Sequence, residues 1–351
     1  MQMKAAVLHA NRDLRYEEIE KPKAGFGEVV IRVKATGVCG SDIPRVLYDG
    51  AHFYPIVLGH EFAGIIDEIG EGVEGLNVGD YATGAPLRPC MKCPDCARGN
   101  YSLCKHYKFT GSSLFGSFAD YVKVPAAGVV TFDKSIPFEQ AAFFEPYTIG
   151  LHGIRQAKMQ PGKTVAVVGA GTIGMMTAQW CVALGARKVV VFDIAKERLD
   201  LAIRLGCDAG INTLDEDYKE QAMALTDGVG YDYVYETAGQ NITQRICFEL
   251  AGNKSTVCFI GNSAKDVSFT AKQFELMNRK EFYLTGSWMS YSAPFPGEEW
   301  RLTAEYFANG KLKFDPGLIS GKFPMKDAWK AFEMYLTPGL VKGKQMLVNE
   351  D

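Results

Sequence analysis

A short apolar strand, followed at once by a glycine-rich turn and a helix, constrains the fold of this chain more than any other feature. Residues 164–168 read Thr-Val-Ala-Val-Val, a run that is typical of a strand buried on both faces. The turn at 169–174 has the spacing G-x-G-x-x-G, and a helix is predicted over 175–184. A second strand over 188–192 ends at Asp193. This order of elements predicts a unit that binds a dinucleotide.

Each glycine of the turn has its own task in such a unit. Gly169 permits the tight turn, Gly171 lets a pyrophosphate approach the backbone, and Gly174 allows the helix to pack closely on the strand. The positive end of the helix would hold the pyrophosphate. Asp193 is placed to accept hydrogen bonds from the adenosine ribose and to repel a 2′-phosphate, which predicts NAD rather than NADP. A glycine-rich turn without ligand is the alternative. The predicted cofactor residues are Gly169, Gly171, Thr172, Ile173, Gly174, Asp193 and Arg198.

The length and composition of the chain indicate an ordinary globular protein of two domains. Its 351 residues exceed the usual size of one hydrophobic core. A net charge of −3 gives no electrostatic reason to expect nucleic acid or an anionic membrane as partner. The sequence has no apolar stretch of membrane-spanning length and no export signal, so its nine cysteines fit a reducing cytoplasm.

The pattern along the chain breaks at 292–297, and its main change comes earlier, after residues 160–162. Short strands and Gly-rich turns before it predict a mainly β domain over 1–147, and a helical pattern over 135–157 crosses the boundary. Strands then alternate with helices, which predicts an α/β domain with a doubly wound parallel sheet. The last 55 or so residues are too few for a core of their own and are expected to pack back onto the β domain. The predicted strands of the α/β domain are 164–168, 189–193, 231–236, 255–260 and 282–287, and the helices between them are 196–205, 216–225, 241–250 and 271–278.

Four cysteines within fifteen residues predict a structural zinc site. Cys90, Cys93, Cys96 and Cys104 have the spacing C-x2-C-x2-C-x7-C. Four thiolates can close a tetrahedron around Zn²⁺ and leave no position open for a substrate. The surrounding prolines and glycines indicate a loop, where a metal ion adds the order that regular hydrogen bonding would otherwise give. A disulfide and an iron–sulfur cluster are the alternatives.

A second, dispersed set of residues suits a zinc ion with room for a substrate oxygen. Cys39, His60, Glu61 and Glu145 would provide one thiolate, one imidazole and carboxylates. Taken singly, each has an ordinary explanation, as a core cysteine, a satisfied histidine or a helix-capping glutamate. Ser41 lies two residues after Cys39, so its hydroxyl could face the same cleft and pass a proton, and it is equally a candidate helix N-cap.

The order of these motifs resembles the zinc-dependent medium-chain dehydrogenase/reductase family. It runs GVCGSD at 37–42, GHEFAG at 59–64, the four cysteines, FEPYTIGLH at 144–152 and VVGAGTIG at 167–174. The resemblance implies a GroES-like catalytic domain over 1–147 and 296–351 and a Rossmann NAD-binding domain over 148–295. It implies two zinc ions per chain: a structural one on the four cysteines, and a catalytic one on Cys39, His60 and Glu145, with Glu61 as ligand or standing behind the metal.

Within the family, the chain resembles the polyol branch, on the stretches SDIPR at 41–45, GAHFYPI at 50–56 and GSWMSY at 286–291. The resemblance implies hydride transfer from a secondary hydroxyl of a polyol phosphate, similar to galactitol 1-phosphate, to NAD⁺, giving a ketose phosphate. Pro44 occupies the position of the relay histidine of classical alcohol dehydrogenases, so the proton would leave through Ser41 and water, or through Glu145. The alternatives are a dehydrogenase of free polyols or diols, of the sorbitol or butanediol type, and a non-catalytic NAD-binding sensor.

Two further expectations concern the substrate phosphate and the assembly. Arg45 follows Ser41 by about one helical turn and is the candidate phosphate contact, with an exposed arginine paired to a carboxylate as the alternative. The strand over 282–287 would end the parallel sheet and leave an apolar edge. Pairing of that edge with a second copy predicts a homodimer or homotetramer, as the resemblance also implies.

Overall fold

The computed structural model describes residues 1–263 and 265–349, and the chain divides into two compact units. Unit 1 comprises Met1–Glu145, Tyr291–Gly310 and Ile319–Asp351, and unit 2 comprises Pro146–Ser290 and Lys311–Leu318. The sequence had placed the boundaries at 147/148 and 295/296. The assignment of 311–318 to the β domain is wrong, because this segment binds unit 2: the backbone N–H of Lys313 donates to Gln179 Oε1 at 3.1 Å.

Unit 1 is built from three β-sheets. A seven-stranded, mainly antiparallel sheet joins the last strand of the chain to an early one, since Lys344–Val348 pairs with Glu28–Gly37. A three-stranded sheet and a two-stranded ribbon accompany it. The strands of unit 1 are Gln2–Ala10, Asp13–Glu20, Glu28–Gly37, Ile56–Val57, Glu61–Ile69, Tyr81–Gly84, Leu87–Arg88, Lys108–Phe109, Tyr121–Pro125, Val129–Thr131, Ile319–Pro324 and Lys344–Val348.

Helices of unit 1 pack against these strands. Val29, Ile31 and Val33 alternate on one face of their strand and are fully buried against Phe62 and Ile66. This alternation is the pattern from which the β domain was predicted. The helices of unit 1 are Asp42–Leu47, Pro94–Ala97, Phe138–Ala141, Glu298–Ala308 and Ala328–Glu333, and the helix Phe144–Gln156 crosses into unit 2.

Unit 2 is a six-stranded parallel sheet with helices between its strands. In space the strands follow the order Ala209–Asn212, Lys188–Asp193, Thr164–Val168, Tyr231–Glu236, Ala251–Phe259 and Tyr283–Gly286. The order reverses direction between Thr164–Val168 and Tyr231–Glu236, which is the place where doubly wound sheets bind their ligands. The helices are Thr172–Ala183, Lys196–Arg204, Tyr218–Ala224, Asn241–Leu250 and Ala271–Lys280.

The predicted fold class, an α/β Rossmann sheet with a GroES-like mainly β domain, is confirmed. Two strands at sheet edges, Ala209–Asn212 and Ile319–Pro324, are among those that the sequence did not predict. Both lie at a sheet edge and together bury only Ile211 fully, so neither has the apolar pattern that marks an inner strand. Within the described residues, no helix has the length and apolar character needed to cross a bilayer.

Candidate functional site

Three neighbouring strands of unit 1 bring the dispersed metal-ligating residues together. In the register of the sheet, Gly37 stands opposite Glu61 on one side and Met346 on the other. Cys39 therefore lies beside the start of the strand Glu61–Ile69, which His60 immediately precedes. Gly37 has no side chain for a physical reason: a Cβ there would lie 2.6 Å from both Glu61 Oε2 and Lys344 Cδ.

The ligand atoms of Cys39, His60 and Glu61 all lie within 4.8 Å of one another, close enough to share one metal ion. Glu145 lies outside this group of the described residues, yet it is buried in the same unit. Burial raises the pKa of Glu145 to about 7, the charge of His60 acts against that shift, and the charge of Glu61 adds to it. The structure thus joins three of the four predicted ligands and places the fourth within electrostatic reach.

The electrostatics of this cluster favour a cation. Burial raises the pKa of the Cys39 thiol, and the carboxylates of Glu61 and Asp42 raise it further, while Lys344 acts in the opposite sense. His60 Nδ1 is buried and has no hydrogen-bond partner among the described residues. Carboxylates beside a thiol disfavour its ionisation to a thiolate unless a positive ion offsets their negative charge. The donor set of sulfur, imidazole and carboxylate therefore fits zinc.

Two residues of the cluster were missed in the sequence. Asp42 is fully buried, accepts a hydrogen bond from the Cys39 backbone N–H at 3.2 Å, and has Oδ1 at 3.9 Å from His60 Nδ1. Lys344 is buried, forms an ion pair with Glu61, and donates to Val38 O at 3.1 Å. The position of Asp42 inside GVCGSD was a usable signal. Lys344 begins a plain apolar strand, and nothing local marks it.

Ser41 and Arg45 occupy one side of the short helix Asp42–Leu47. Ser41 stands at the N-cap position of this helix, as one of its two predicted roles requires. Its side chain, however, makes no capping hydrogen bond. Instead Arg45 Nη1 donates to Ser41 Oγ at 3.2 Å and approaches Asp42 Oδ1 at 3.4 Å. The hydroxyl of Ser41 is exposed, and the guanidinium of Arg45 has a carboxylate partner on one side.

The turn that carries His60 is shaped by its neighbours. Gly59 has φ of +91°, and a Cβ there would lie 2.4 Å from the ring of Phe118. The ring of Phe109 lies edge-on to the imidazole of His60, with centroids 5.3 Å apart. Phe109 therefore gives the candidate metal site an apolar wall, and it was not singled out in the sequence.

The four clustered cysteines form a second group with metal-site geometry. Their sulfur atoms all lie within 4.8 Å of one another, and Cys90 and Cys96 are 4.0 Å apart. Thiolates bound to one zinc ion lie about 3.8 Å apart. Hydrogen bonds from the backbone N–H groups of Lys92 and Cys93 lower the pKa of Cys90 to about 6, whereas burial raises that of Cys96 to about 12. The loop is thus arranged for thiolates around a cation, with no position open to substrate.

A Cys96→Ser variant should lose stability rather than chemistry. Cys96 is buried at the centre of the loop, so the substitution opens a closed thiolate shell that orders residues 90–104. We expect a lower melting temperature and loss of one zinc ion per chain, measured by thermal unfolding and metal analysis. Unchanged stability with both metal ions retained would contradict the structural role.

The glycine loop of unit 2 shows three different backbone constraints. Gly169 has φ of +101°, the left-handed region that favours glycine. A Cβ on Gly174 would lie 1.8 Å from Gly169 O, so the helix Thr172–Ala183 packs directly on the turn. A Cβ on Gly171 would meet nothing within 4 Å. Glycine at 171 therefore has no packing reason within the described protein, and the space beside it suits a ligand that must approach the backbone.

The other predicted cofactor residues surround this loop. Thr172 and Ile173 are the first two residues of the helix Thr172–Ala183, and its N-cap residue makes no side-chain capping hydrogen bond. Asp193 ends its strand, accepts hydrogen bonds from Ala170 N at 2.7 Å and Ala195 N at 2.9 Å, and lies 3.8 Å from Arg198 Nη1. The structure thus collects all seven predicted residues at the carboxyl end of the sheet.

Comparisons with known proteins identify the family of this chain. Residues 25–134 match the alcohol dehydrogenase GroES-like domain, and residues 172–305 match the zinc-binding dehydrogenase domain. The chain is 39% identical to galactitol 1-phosphate 5-dehydrogenase of Escherichia coli (strain K12), over 82% of this chain and 84% of that protein. It is 35% identical to sorbitol dehydrogenase of Bacillus subtilis (strain 168), over 68% of this chain and 69% of that protein.

Among solved structures, galactitol-1-phosphate dehydrogenase from Escherichia coli superposes with a TM-score of 0.93 at 36% identity, over 99% of this chain and 100% of that chain. The two matched domains, the identity over most of the chain and the fold lead to one conclusion: the chain belongs to the zinc-dependent medium-chain dehydrogenase/reductase family.

Proposed function

We propose that this chain is an NAD-dependent polyol phosphate dehydrogenase that oxidises a secondary hydroxyl to a ketone. The observation that carries the proposal is the group formed by Cys39 and the buried residues His60 and Glu61, in a chain that also has a dinucleotide-type loop. Its similarity to a galactitol 1-phosphate dehydrogenase supports the phosphorylated substrate. We propose a catalytic zinc on Cys39, His60 and a carboxylate from Glu61 or Glu145, and a structural zinc on the four clustered cysteines.

Different residues of the site would have different roles in such a reaction. When bound, zinc would polarise the substrate hydroxyl, and the nicotinamide ring would accept the hydride. Asp42 orients Cys39 through the backbone hydrogen bond, and Lys344 holds Glu61 on its other side. The exposed hydroxyl of Ser41 can pass the substrate proton to water, because Pro44 offers no proton-carrying group. Phe109 shields the imidazole of His60 from one side.

A substrate panel tests this function. Galactitol 1-phosphate, related hexitol phosphates, the free hexitols and 2,3-butanediol would each be assayed for NADH formation with the zinc-loaded protein. We expect the highest kcat/KM with a polyol phosphate. No NADH formation with any member of the panel, from a protein that holds two zinc ions per chain, would overturn the proposal.

Arg45→Ala is expected to raise KM for a polyol phosphate about tenfold, or roughly 1.4 kcal/mol of binding, and to leave free polyols little affected. A guanidinium can bind phosphate with two parallel hydrogen bonds, and Arg45 lies beside Ser41 at the candidate site. Steady-state kinetics on both substrate classes would measure the effect. Arg45→Lys is the matched control, since it keeps the charge but loses the paired geometry. An equal rise in KM for both classes would show that Arg45 only supports Asp42.

A free polyol is the second candidate substrate, and one contact favours it. Arg45 already has Asp42 as a partner at 3.4 Å, which reduces the charge that it can offer to a phosphate. The similarity to a sorbitol dehydrogenase also agrees with an unphosphorylated substrate. Faster turnover of free hexitols than of their phosphates would select this candidate.

We expect the wild-type protein to prefer NAD, and Asp193→Gly to remove that preference. The carboxylate of Asp193 would repel a 2′-phosphate, and its removal takes that repulsion away. The variant should lose about tenfold in affinity for NAD, because an acceptor for the ribose and the contact to Ala170 N disappear. Ratios of kcat/KM for NAD and NADP give the measurement, and Asp193→Asn separates lost charge from lost hydrogen bonds. A wild-type preference for NADP would contradict the assignment.

The assembly is inferred from the exposed edge of the parallel sheet. The edge strand Tyr283–Gly286 pairs on one side with Ala251–Phe259, and Tyr283 and Leu284 are exposed. We propose that a second copy covers this edge in a dimer or tetramer. A monomeric mass by light scattering at micromolar concentration would refute this.

Thiolate ligands need a reducing compartment, so we place the enzyme in the cytoplasm.

A further inference from the structure

Glu236 is a fully buried carboxylate for which the proposed reaction has no use. It ends the strand Tyr231–Glu236, where the register places it beside Val168, the last residue of the strand before the glycine loop. Burial raises its pKa, and the hydrogen bonds that it accepts oppose that shift. A charged or polar group in such a place costs free energy unless its hydrogen bonds compensate for lost water.

One oxygen of Glu236 collects three donors. Oε1 accepts from Ala238 N at 3.0 Å, Gly239 N at 2.9 Å and Thr243 Oγ at 2.6 Å. The first two donors belong to the turn that follows the strand, and Thr243 belongs to the next helix. A single acceptor therefore joins Ala238 and Gly239 of the turn to the start of the helix Asn241–Leu250.

The opposite side of Glu236 is closely packed. Its Oε2 is buried without a hydrogen bond in the described part of the chain, and a Cβ on Gly261 would come within 2.7 Å of it. Gly239 has φ of +65°, and a Cβ there would lie 2.2 Å from Asn262 O. The carboxylate and the turn thus have little freedom to move away from each other.

The turn at 237–239 is itself bonded to the glycine loop at 169–174. Thr237 N donates to Val168 O at 3.0 Å, and Thr237 Oγ donates to Gly169 O at 2.7 Å. A Cβ on Gly169 would lie 2.8 Å from Ala238 Cβ, so the two turns are in van der Waals contact. The position of Gly169 decides where the backbone N–H groups of the next residues point.

We propose that Glu236 and Thr237 are positioning residues that fix the glycine loop in its dinucleotide-binding conformation. The proposal rests on the proposed function, because it assumes that the loop binds NAD. Glu236 orders the turn, the Thr237 hydroxyl holds the carbonyl of Gly169, and the loop reaches the ligand already ordered. Preorganisation of this kind lowers the entropy that binding would otherwise cost.

The test compares NADH affinity with fold stability in paired variants. Thr237→Val keeps the shape but removes the hydroxyl, and we expect it to raise the Kd for NADH about tenfold. Thr237→Ser keeps the hydroxyl and should remain close to wild type. Glu236→Gln weakens the three hydrogen bonds at constant shape and should also raise Kd. Fluorescence titration with NADH gives Kd, and urea unfolding of the ligand-free protein gives stability.

A matched control separates positioning from general destabilisation. Thr226 is a buried threonine of unit 2 whose hydroxyl accepts from Gly230 N at 3.1 Å, before the strand begins. Thr226→Val should lower stability and leave Kd unchanged. Folded Thr237→Val protein with wild-type NADH affinity would overturn the positioning role and leave the proposed function intact. Wild-type protein that binds neither NADH nor NADPH would overturn both.

Discussion

Cys39→Ser is expected to reduce kcat by about a thousandfold or more while the protein stays folded. The substitution removes the one sulfur ligand of the catalytic group, and a metal ion at such a site contributes several kcal/mol of transition-state stabilisation. Cys39 lies on the loop between the strand Glu28–Gly37 and the helix Asp42–Leu47, outside the hydrophobic clusters of unit 1. The fold therefore does not depend on its side chain. Turnover with NAD, zinc per chain and thermal unfolding are the three measurements.

Metal analysis makes this expectation specific. The variant should hold one zinc ion per chain where the wild type holds two. Cys207→Ala is the matched control, because Cys207 is buried in unit 2 whereas both metal-ligating groups belong to unit 1, and its loss should affect stability but neither zinc nor turnover. Unchanged activity of Cys39→Ser, or unfolding as severe as that of Cys96→Ser, would contradict the division into a catalytic and a structural site.

The inner elements of the fold were readable from local sequence, and the edges were not. Thr164–Val168 and Tyr231–Glu236 were predicted with the bounds that the structure shows, since the first is a short, continuous apolar run and the second is rich in tyrosine and valine. Ala209–Asn212 has Gly210 in its middle and one buried side chain, so its sequence resembles a loop. It is a strand because Lys188–Asp193 offers it an unpaired edge, which is a tertiary effect.

The same distinction holds for the candidate catalytic site. Cys39, His60 and Glu61 were recognisable because metal ligands belong to few residue types and lay in recognisable motifs. The ion pair of Lys344 with Glu61 could not be recognised in the sequence, because it joins residues 283 positions apart through the register of three strands. Local sequence shows which side chains can bind a metal, but the charges that surround them depend on which strands become neighbours.

Gly171→Val should abolish dinucleotide binding in a folded protein. Gly171 has φ of −70° and ψ of −175°, which is extended backbone that valine adopts readily, and a Cβ there meets nothing within 4 Å. The fold should lose at most about 1 kcal/mol, since valine is a poor N-cap for the helix that follows. The branched side chain would occupy the space through which a pyrophosphate reaches the helix N-terminus. We expect Kd for NADH to rise at least about a hundredfold, or roughly 2.7 kcal/mol.

Gly174→Ala gives the contrast that identifies the cause. Its added methyl group would lie 1.8 Å from Gly169 O, so the turn and the helix must move apart and the ligand-free protein should lose about 1–3 kcal/mol of stability. For Gly171→Val we expect the opposite result: the protein keeps most of its stability and loses its affinity for NADH. NADH titration and urea unfolding of both variants measure the two effects separately. If Gly171→Val binds NADH as tightly as wild type, the pyrophosphate does not lie against this loop, and the assignment of Asp193 to the ribose fails with it.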